Sequence, residues 1–124
     1  MSAKPEVSIV LISLNHAKRL PRALRSLTRQ TLSSIEIIVV DDASTDNTAD
    51  IVSKAAAADS RIRYVRLEQN SGGCSTPRNR GITEANGRWV MFCDSDDEYE
   101  RHAAKNLLLA VEAAEADLGC GVVE

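Results

Sequence analysis

Short apolar runs that alternate with helix-like segments are the feature of this sequence that most restricts its fold. Two runs of β-branched and aliphatic residues cover residues 7–14 and 35–40, and two further strand-like runs cover residues 61–67 and 89–93. Nearly continuous apolar runs of this length are typical of strands buried on both faces, as in parallel sheets. The alternation therefore predicts an α/β fold in which a mostly parallel sheet is flanked by helices.

The segments between these runs have helical character. Apolar residues recur at helical spacing after the first run, with a proline suited to a first turn, at Leu20, Pro21, Ala23, Leu24 and Leu27. Further helices are predicted through residues 51–56, from Pro77 to near Gly87, and over residues 102–116. Residues 118–123 are predicted to form a short final strand.

Composition limits the class of protein. With 124 residues, 44% hydrophobic and 27% charged, residues 1–124 are expected to fold as one globular domain. A net charge of -3 with interspersed signs argues against a nucleic-acid partner. Three cysteines without a C-x-x-C spacing indicate neither a disulfide framework nor a zinc site. The polar residues 1–6 do not have the pattern of an export signal. We therefore expect a reducing, cytoplasmic setting.

An acidic cluster follows the fourth apolar run at Asp94, Ser95, Asp96 and Asp97. Three carboxylates within four residues repel one another unless a cation neutralises them, and hard oxygen ligands suit Mg²⁺ or Mn²⁺ bound together with a diphosphate. A solvated cluster that caps the next helix is the structural alternative. The cluster alone does not decide between these two interpretations.

Two other strand-end loops carry polar residues expected at the same edge of a parallel sheet. Asp42 could accept hydrogen bonds from a ribose or a base, and Asp46 could cap the next helix, although Asp41 and Asp42 could also simply be solvated. Gly72 and the adjacent Gly73 permit a close backbone approach. Arg78 has a donor fork suited to a diphosphate, and we expect Arg80 to be a solvated surface residue.

Several other reactive or aromatic residues receive no functional role from the sequence. His16 and His102 stand alone, so neither is assigned to catalysis. Cys74 and Cys93 lack an activating neighbour, and a buried or inert thiol is expected. In the fourth run, Trp89 and Phe92 are expected to lie in the core.

Five blocks in one order resemble the amino-terminal region of family 2 glycosyltransferases. The blocks are VSIVLISLN, LPRALRSLTRQT, EIIVVDDASTDNT, NSGGCSTPRNRGI and GRWVMFCDSDD, and together they span nearly the whole chain. The resemblance implies a Rossmann-like GT-A fold that binds a nucleotide-diphosphate sugar, most often a UDP-sugar, with Mn²⁺ or Mg²⁺. It also implies transfer of the sugar, with inversion, to a glycan or lipid-linked acceptor.

The resemblance also assigns site residues. Asp42 would contact the base, Ser13 and Asn15 would line the nucleotide pocket, and Arg78 with Asn79 would support the diphosphate. In the acidic cluster, Asp94 and Asp96 match the D-x-D motif, Ser95 lies in the donor site, and the candidate metal ligands are Asp94, Asp96 and Asp97.

Two departures from the family pattern matter. Ile12 and Leu14 stand where the family often has proline and tyrosine, so an aromatic stack on the base is absent there. The family's general base lies beyond Glu124, so no catalytic base is assigned, and the chain is expected to be a truncated donor-binding part that transfers sugar poorly or not at all. Acceptors in this family are often membrane-linked or cell-envelope glycans, which would place the full enzyme in the cytoplasm or at the inner membrane face.

Two alternatives remain open at the level of the sequence. A degenerate transferase domain could serve as a non-catalytic module that binds a nucleotide or a partner protein. A sugar nucleotidyltransferase also uses strand-end carboxylates and a metal, but it ordinarily has a glycine-rich basic loop after the first strand. Residues 13–19 contain no glycine, which disfavours this second alternative.

Overall fold

The computed structural model describes residues 4–119, which form strands and helices in alternation. The strands are β1 (Val7–Ser13), β2 (Ile35–Asp41), β3 (Ile62–Arg66) and β4 (Trp89–Asp94). The helices are α1 (Leu20–Thr28), α2 (Thr48–Ala58), α3 (Ser75–Glu84) and α4 (Ala103–Ala113). Within the described residues, no helix is both long and apolar enough to span a bilayer.

One four-stranded parallel sheet in the order β3-β2-β1-β4 forms the centre of the fold. In its register, Val7 of β1 pairs with Ile35 of β2 and with Trp89 of β4. Strands β1 and β2 lie inside the sheet and are buried almost throughout, because both of their faces are covered. The prediction of a mostly parallel α/β fold is confirmed.

Alternate residues of the central strands supply two core layers on opposite faces of the sheet. On one face, Ile9, Leu11 and Ile37 pack with the apolar stripe of α1 that includes Leu24 and Leu27. On the other face, Val10, Ile38, Val40 and Leu67 form a smaller layer. The first layer holds α1 in place beneath the carboxyl edge of the sheet, where the functional residues lie.

Helices α3 and α4 both end earlier in the structure than the sequence predicts. Helix α3 ends at Glu84, and Gly87 has another role, since its N–H donates to Ser8 Oγ at 2.8 Å and a Cβ there would lie 2.6 Å from Ser8 N. Helix α4 is also shorter than predicted. Most of the strand predicted over residues 118–123 lies outside the described residues, and Leu118 and Gly119 are not in a strand.

Gly81 allows α3 to pack closely against β1. A Cβ at this position would lie 2.3 Å from Val10 Cγ1, in a buried layer. We expect Gly81→Ala to lower the free energy of unfolding by about 1–3 kcal/mol, because the overpacking cost exceeds the gain in helix propensity. Urea denaturation measures this loss, with exposed Thr83→Ala as the control; an unchanged or higher midpoint for Gly81→Ala would contradict this packing.

Candidate functional site

The loops that follow the strands are joined by hydrogen bonds along one edge of the sheet. Asn15 Oδ1, just after β1, accepts a bond from Thr45 N in the loop after β2, at 2.8 Å. Ser95 N, just after β4, donates to Ile12 O in β1 at 3.1 Å. Because the strands are parallel, these loops all lie at their carboxyl ends, where α/β proteins bind ligands. The structure thus brings the predicted site residues onto one edge.

Asp94, Asp96 and Asp97 form the acidic cluster at this edge. Their carboxylates can each place an oxygen within 4.8 Å of the others. The Asp97 N–H donates to Asp94 O at 3.0 Å, which forms the turn that gathers the three side chains. Three hard oxygen donors this close together are the ligand type that Mg²⁺ or Mn²⁺ takes in proteins. The donor set therefore fits a divalent cation.

Ser95, inside the cluster, is held by a residue to which the sequence assigned no role. Its side chain is buried, and its Oγ lies 2.7 Å from His16 Nδ1, within hydrogen-bonding distance. His16 also accepts, through its carbonyl oxygen, the bonds from Arg19 N and Leu20 N that begin α1. His16 therefore couples the start of α1 to the acidic turn. No local signal reveals this contact, because 79 positions separate the two residues.

Three arginines surround the acidic cluster, and two of them form only long, exposed ion pairs with its carboxylates. Arg78 Nη2 lies 3.8 Å from Asp94 Oδ1, and Arg19 Nη1 lies 3.9 Å from Asp96 Oδ2. Arg22 Nη2 donates to the Asp96 carbonyl oxygen at 3.0 Å. Exposed pairs of this kind each contribute little to stability. Their positive charge nonetheless offsets part of the repulsion between the carboxylates.

Two side chains behind the cluster have raised pKa values. Burial, followed by the charges of Asp97, Asp94 and Asp96, raises the pKa of the Cys93 thiol to about 12. Burial also raises the pKa of Tyr99 to about 12. Cys93 is therefore a protonated, buried thiol, as expected from the sequence. Of the two alternatives expected for Cys74, a buried or an inert thiol, burial is excluded, because Cys74 is exposed and accepts a bond from Arg78 Nη1 at 3.4 Å.

The acidic pair at the end of β2 is buried, so the alternative that both residues are solvated is wrong. Asp41 is 0% exposed and accepts bonds from Ser44 N at 2.9 Å, Arg66 Nη1 at 3.2 Å and the Tyr64 hydroxyl. Its role is to connect β3 to the loop after β2. The sequence pattern cannot show this, because the partners lie on another strand.

Asp42 connects the end of β2 to the glycine-containing loop before α3. Its two carboxylate oxygens accept bonds from Ser71 N and Ser71 Oγ, each at 3.0 Å. Each oxygen retains lone-pair capacity for a further donor. The neighbouring Ala43 has φ 63, as Asn15 has φ 54, and left-handed backbone of this kind in non-glycine residues concentrates at functional sites.

Asp46 and Arg80 have the structural roles expected from the sequence. Asp46 Oδ1 accepts a bond from Thr48 N at 3.1 Å, at the first residue of α2, and the bond from the Thr48 hydroxyl lowers the pKa of this carboxyl. Arg80 pairs with Glu84 one turn along α3, on the surface, at 3.1 Å. Neither side chain is needed to explain ligand binding.

Ser13 and Asn79, the remaining candidates, differ in environment. The Ser13 hydroxyl is buried and has no hydrogen-bond partner among residues 4–119, as is also true of Arg78 Nε. A buried polar atom without a partner costs about 1–3 kcal/mol, so these two atoms favour an additional ligand or water at this edge. Asn79 is exposed on α3, and its carbonyl accepts a bond from Thr83 Oγ1.

Phe92 is not the core residue that the sequence predicts. It is 38% exposed, and the Arg78 guanidinium lies 5.9 Å from its ring centroid. The reason is that β4 is the last strand of the described sheet, so its α3-side face is only partly covered. Trp89 packs against the main core layer as expected, although it is only partly buried.

Comparisons with known proteins agree with this architecture. Residues 8–124 match the family model described as glycosyl transferase family 2. The glycosyltransferase GlyG of Streptococcus pneumoniae is 35% identical over 115 residues, which are 93% of this chain and 38% of GlyG. Staphylococcus aureus TarS, a poly(ribitol-phosphate) β-N-acetylglucosaminyltransferase, has been solved in complex with UDP. The TarS structure superposes with a TM-score of 0.85 at 32% identity, and the match covers 96% of this chain and 38% of the TarS chain.

A more distant structure shares the fold alone. The mannosyltransferase PcManGT of Pyrobaculum calidifontis, solved with GDP-Man and Mn²⁺, has a TM-score of 0.80 at 23% identity, over 89% of this chain and 33% of that chain. The present chain thus spans well under half the length of the relatives it matches. Its parallel sheet is the GT-A fold of these neighbours. With a family match that covers almost every residue, the chain belongs to glycosyltransferase family 2.

Proposed function

We propose that the carboxyl edge of this sheet binds a nucleotide-diphosphate sugar, a UDP-sugar, together with a divalent cation, as the donor-binding domain of an inverting glycosyltransferase. The observation that carries the proposal is the gathering of three carboxylates at the end of β4. Hydrogen bonds hold this turn against β1 and His16, so the ligands are preorganised.

The metal would be held by Asp94, Asp96 and Asp97, and Arg78 would bind the diphosphate from the α3 side. A bound Mg²⁺ or Mn²⁺ supplies positive charge that stabilises the departing nucleoside diphosphate. Arg78 suits its role because its guanidinium is half-buried beside Asp94 and Phe92 and is always charged. Asn79 and Ser95 would add hydrogen bonds on the same side.

The nucleoside would lie toward the ends of β1 and β2. Ser13 and Asn15 would line its pocket, and the spare acceptor capacity of Asp42 would receive a base or ribose donor. TarS, at 32% identity, has been solved with UDP and with UDP-GlcNAc, which supports a uridine donor here. The acceptor we propose is a glycan or a lipid-linked glycan, used in the cytoplasm or at the inner membrane face.

No residue of this chain is assigned as the base that activates the acceptor. We therefore propose that residues 1–124 form one donor-binding domain and that sugar transfer requires a base outside it. A non-catalytic nucleotide- or partner-binding module is the second candidate. A longer chain with an acidic residue placed to deprotonate an acceptor hydroxyl would favour the transferase, and its absence would favour the module.

Calorimetry with UDP tests the proposal. We expect UDP to bind with Mn²⁺ present and much more weakly in EDTA, because the acidic cluster repels a diphosphate until a cation neutralises it. GDP and ADP under the same conditions are the controls for base preference, and we expect both to bind more weakly than UDP. Binding of UDP that is equal with and without metal would refute the site assignment.

A further inference from the structure

A strongly basic cleft lies next to the acidic cluster, between α1 and the segment that leads to α4. Four arginines line it, Arg22, Arg25, Arg29 and Arg101, together with a single acid, Glu98. Its volume is about 700 Å³. We propose that this arginine cleft binds a linear anion that carries two or more phosphate groups, at a site separate from the donor diphosphate.

Hydrogen bonds hold the two walls of the arginine cleft together. Thr31 N, just after α1, donates to Arg101 O at 2.8 Å. Gln30 Nε2 donates to Glu100 O at 2.8 Å, while Gln30 Oε1 accepts from Ala104 N at 2.9 Å. The backbone that carries Arg101 is therefore held beside the end of α1, close to Arg29.

Most of the positive charge of the arginine cleft is not paired with carboxylates of the described residues. Within residues 4–119, Arg25, Arg29 and Arg101 make no ion pair. By contrast, Arg61 pairs with Asp59 and Arg63 pairs with two glutamates. Spacings of three and four residues also place Arg22 and Arg25 of α1, and Arg29 directly after its last residue, on the same side of the helix, where like charges repel. A bound polyanion would relieve this repulsion.

Phosphate groups fit this arrangement better than carboxylates. One guanidinium fork occupies both oxygens of a carboxylate, whereas a phosphate has further oxygens that can bridge to a second arginine. Positions 22 to 29 extend over roughly 10 Å of helix axis at the usual rise, longer than one phosphate group. The row of arginines therefore favours successive phosphates along one chain.

Calorimetry with sodium tripolyphosphate in EDTA tests the proposal without metal at the acidic cluster. We expect one-to-one binding that weakens as salt is added, and orthophosphate and citrate should bind more weakly. The double variant Arg25→Gln with Arg29→Gln should lower the affinity for tripolyphosphate by roughly tenfold or more. The control, Lys54→Gln with Arg80→Gln, removes the same charge elsewhere on the surface and should leave the affinity within about twofold.

Thermal unfolding of both double variants verifies that they are folded before binding is compared. Equal losses in the two double variants would overturn the proposal, because general charge attraction would then explain the binding. Binding to phosphatidylglycerol vesicles without binding to tripolyphosphate would also overturn it, in favour of a flat membrane-contact surface. If tripolyphosphate shows no detectable binding, the proposal is overturned as well.

Discussion

Asp96→Asn is expected to abolish the metal-dependent part of UDP binding and to weaken binding in Mn²⁺ by roughly a hundredfold, or about 2.8 kcal/mol. The substitution keeps the size of the side chain and removes one negative charge from the acidic cluster, whose carboxylates lie within 4.8 Å of one another. An amide oxygen carries no full charge, so it is a weaker ligand for a hard cation. Calorimetry of both proteins, with Mn²⁺ and with EDTA, measures the change.

Asp50→Asn is the matched control for this prediction. Asp50 is exposed in the first turn of α2, outside the acidic cluster, so its loss of charge should leave UDP binding nearly unchanged. In EDTA, Asp96→Asn should bind UDP no more weakly than the original chain, because it has one carboxylate fewer to repel the diphosphate. Equal UDP affinities of Asp96→Asn and the original chain in Mn²⁺ would exclude Asp96 as a ligand.

Glu36→Ala is expected to cause the largest loss of stability, about 2–4 kcal/mol, because it leaves buried hydrogen-bond donors without an acceptor. Glu36 is 8% exposed in β2 and accepts bonds from Ser8 Oγ at 2.5 Å, Asn86 N at 2.6 Å and Arg63 Nη1 at 2.9 Å. Its loss leaves Ser8 Oγ and Asn86 N without this acceptor, while Arg63 keeps its other acceptors. Urea denaturation at neutral pH measures the effect, and Glu68→Ala, at an exposed position, is the control.

The same carboxylate predicts a pH dependence of stability. Burial raises the pKa of Glu36, but the bonds from Ser8, Asn86 and Arg63 outweigh burial, so the pKa lies below its ordinary value of 4.5. A lowered pKa in the folded state means that the unfolded state binds the proton more tightly. The stabilisation is therefore complete above the ordinary pKa and is lost as pH falls through the lowered one. The difference between the original chain and Glu36→Ala should shrink in acid; a constant difference would contradict this account.

The fold could be predicted because its signals are local. The central strands appear as continuous apolar runs, and the stripe of α1 through Leu20, Leu24 and Leu27 has a clear helical period. Convergence of the strand-end loops follows from parallel topology alone. The family blocks depend on the same local segments, and the ends of the parallel strands lie at one edge, as the sequence predicts.

The networks around the site could not be predicted, because they connect residues far apart in the chain. Nothing near Glu36 in β2 indicates that Ser8 and Asn86 supply its hydrogen bonds. His16 contacts Ser95 across 79 positions. In the sequence, the arginines of α1 have the pattern of an ordinary solvated helix face. The hydrogen bond from Gln30 to Glu100 shows that the segment before α4 lies beside this face and forms the second wall of the arginine cleft. The prediction that Phe92 lies in the core is wrong because it depends on strand order. The local sequence does not show that β4 is the last strand of the described sheet.

Anomalous diffraction at the manganese edge, from crystals of the chain grown with UDP and Mn²⁺, tests the proposed metal site directly. We expect one manganese peak within coordination distance of carboxylate oxygens of the acidic cluster, with the UDP diphosphate beside it and Arg78 near the phosphates. UDP bound at another face of the sheet, or a manganese peak away from Asp94, Asp96 and Asp97, would contradict it.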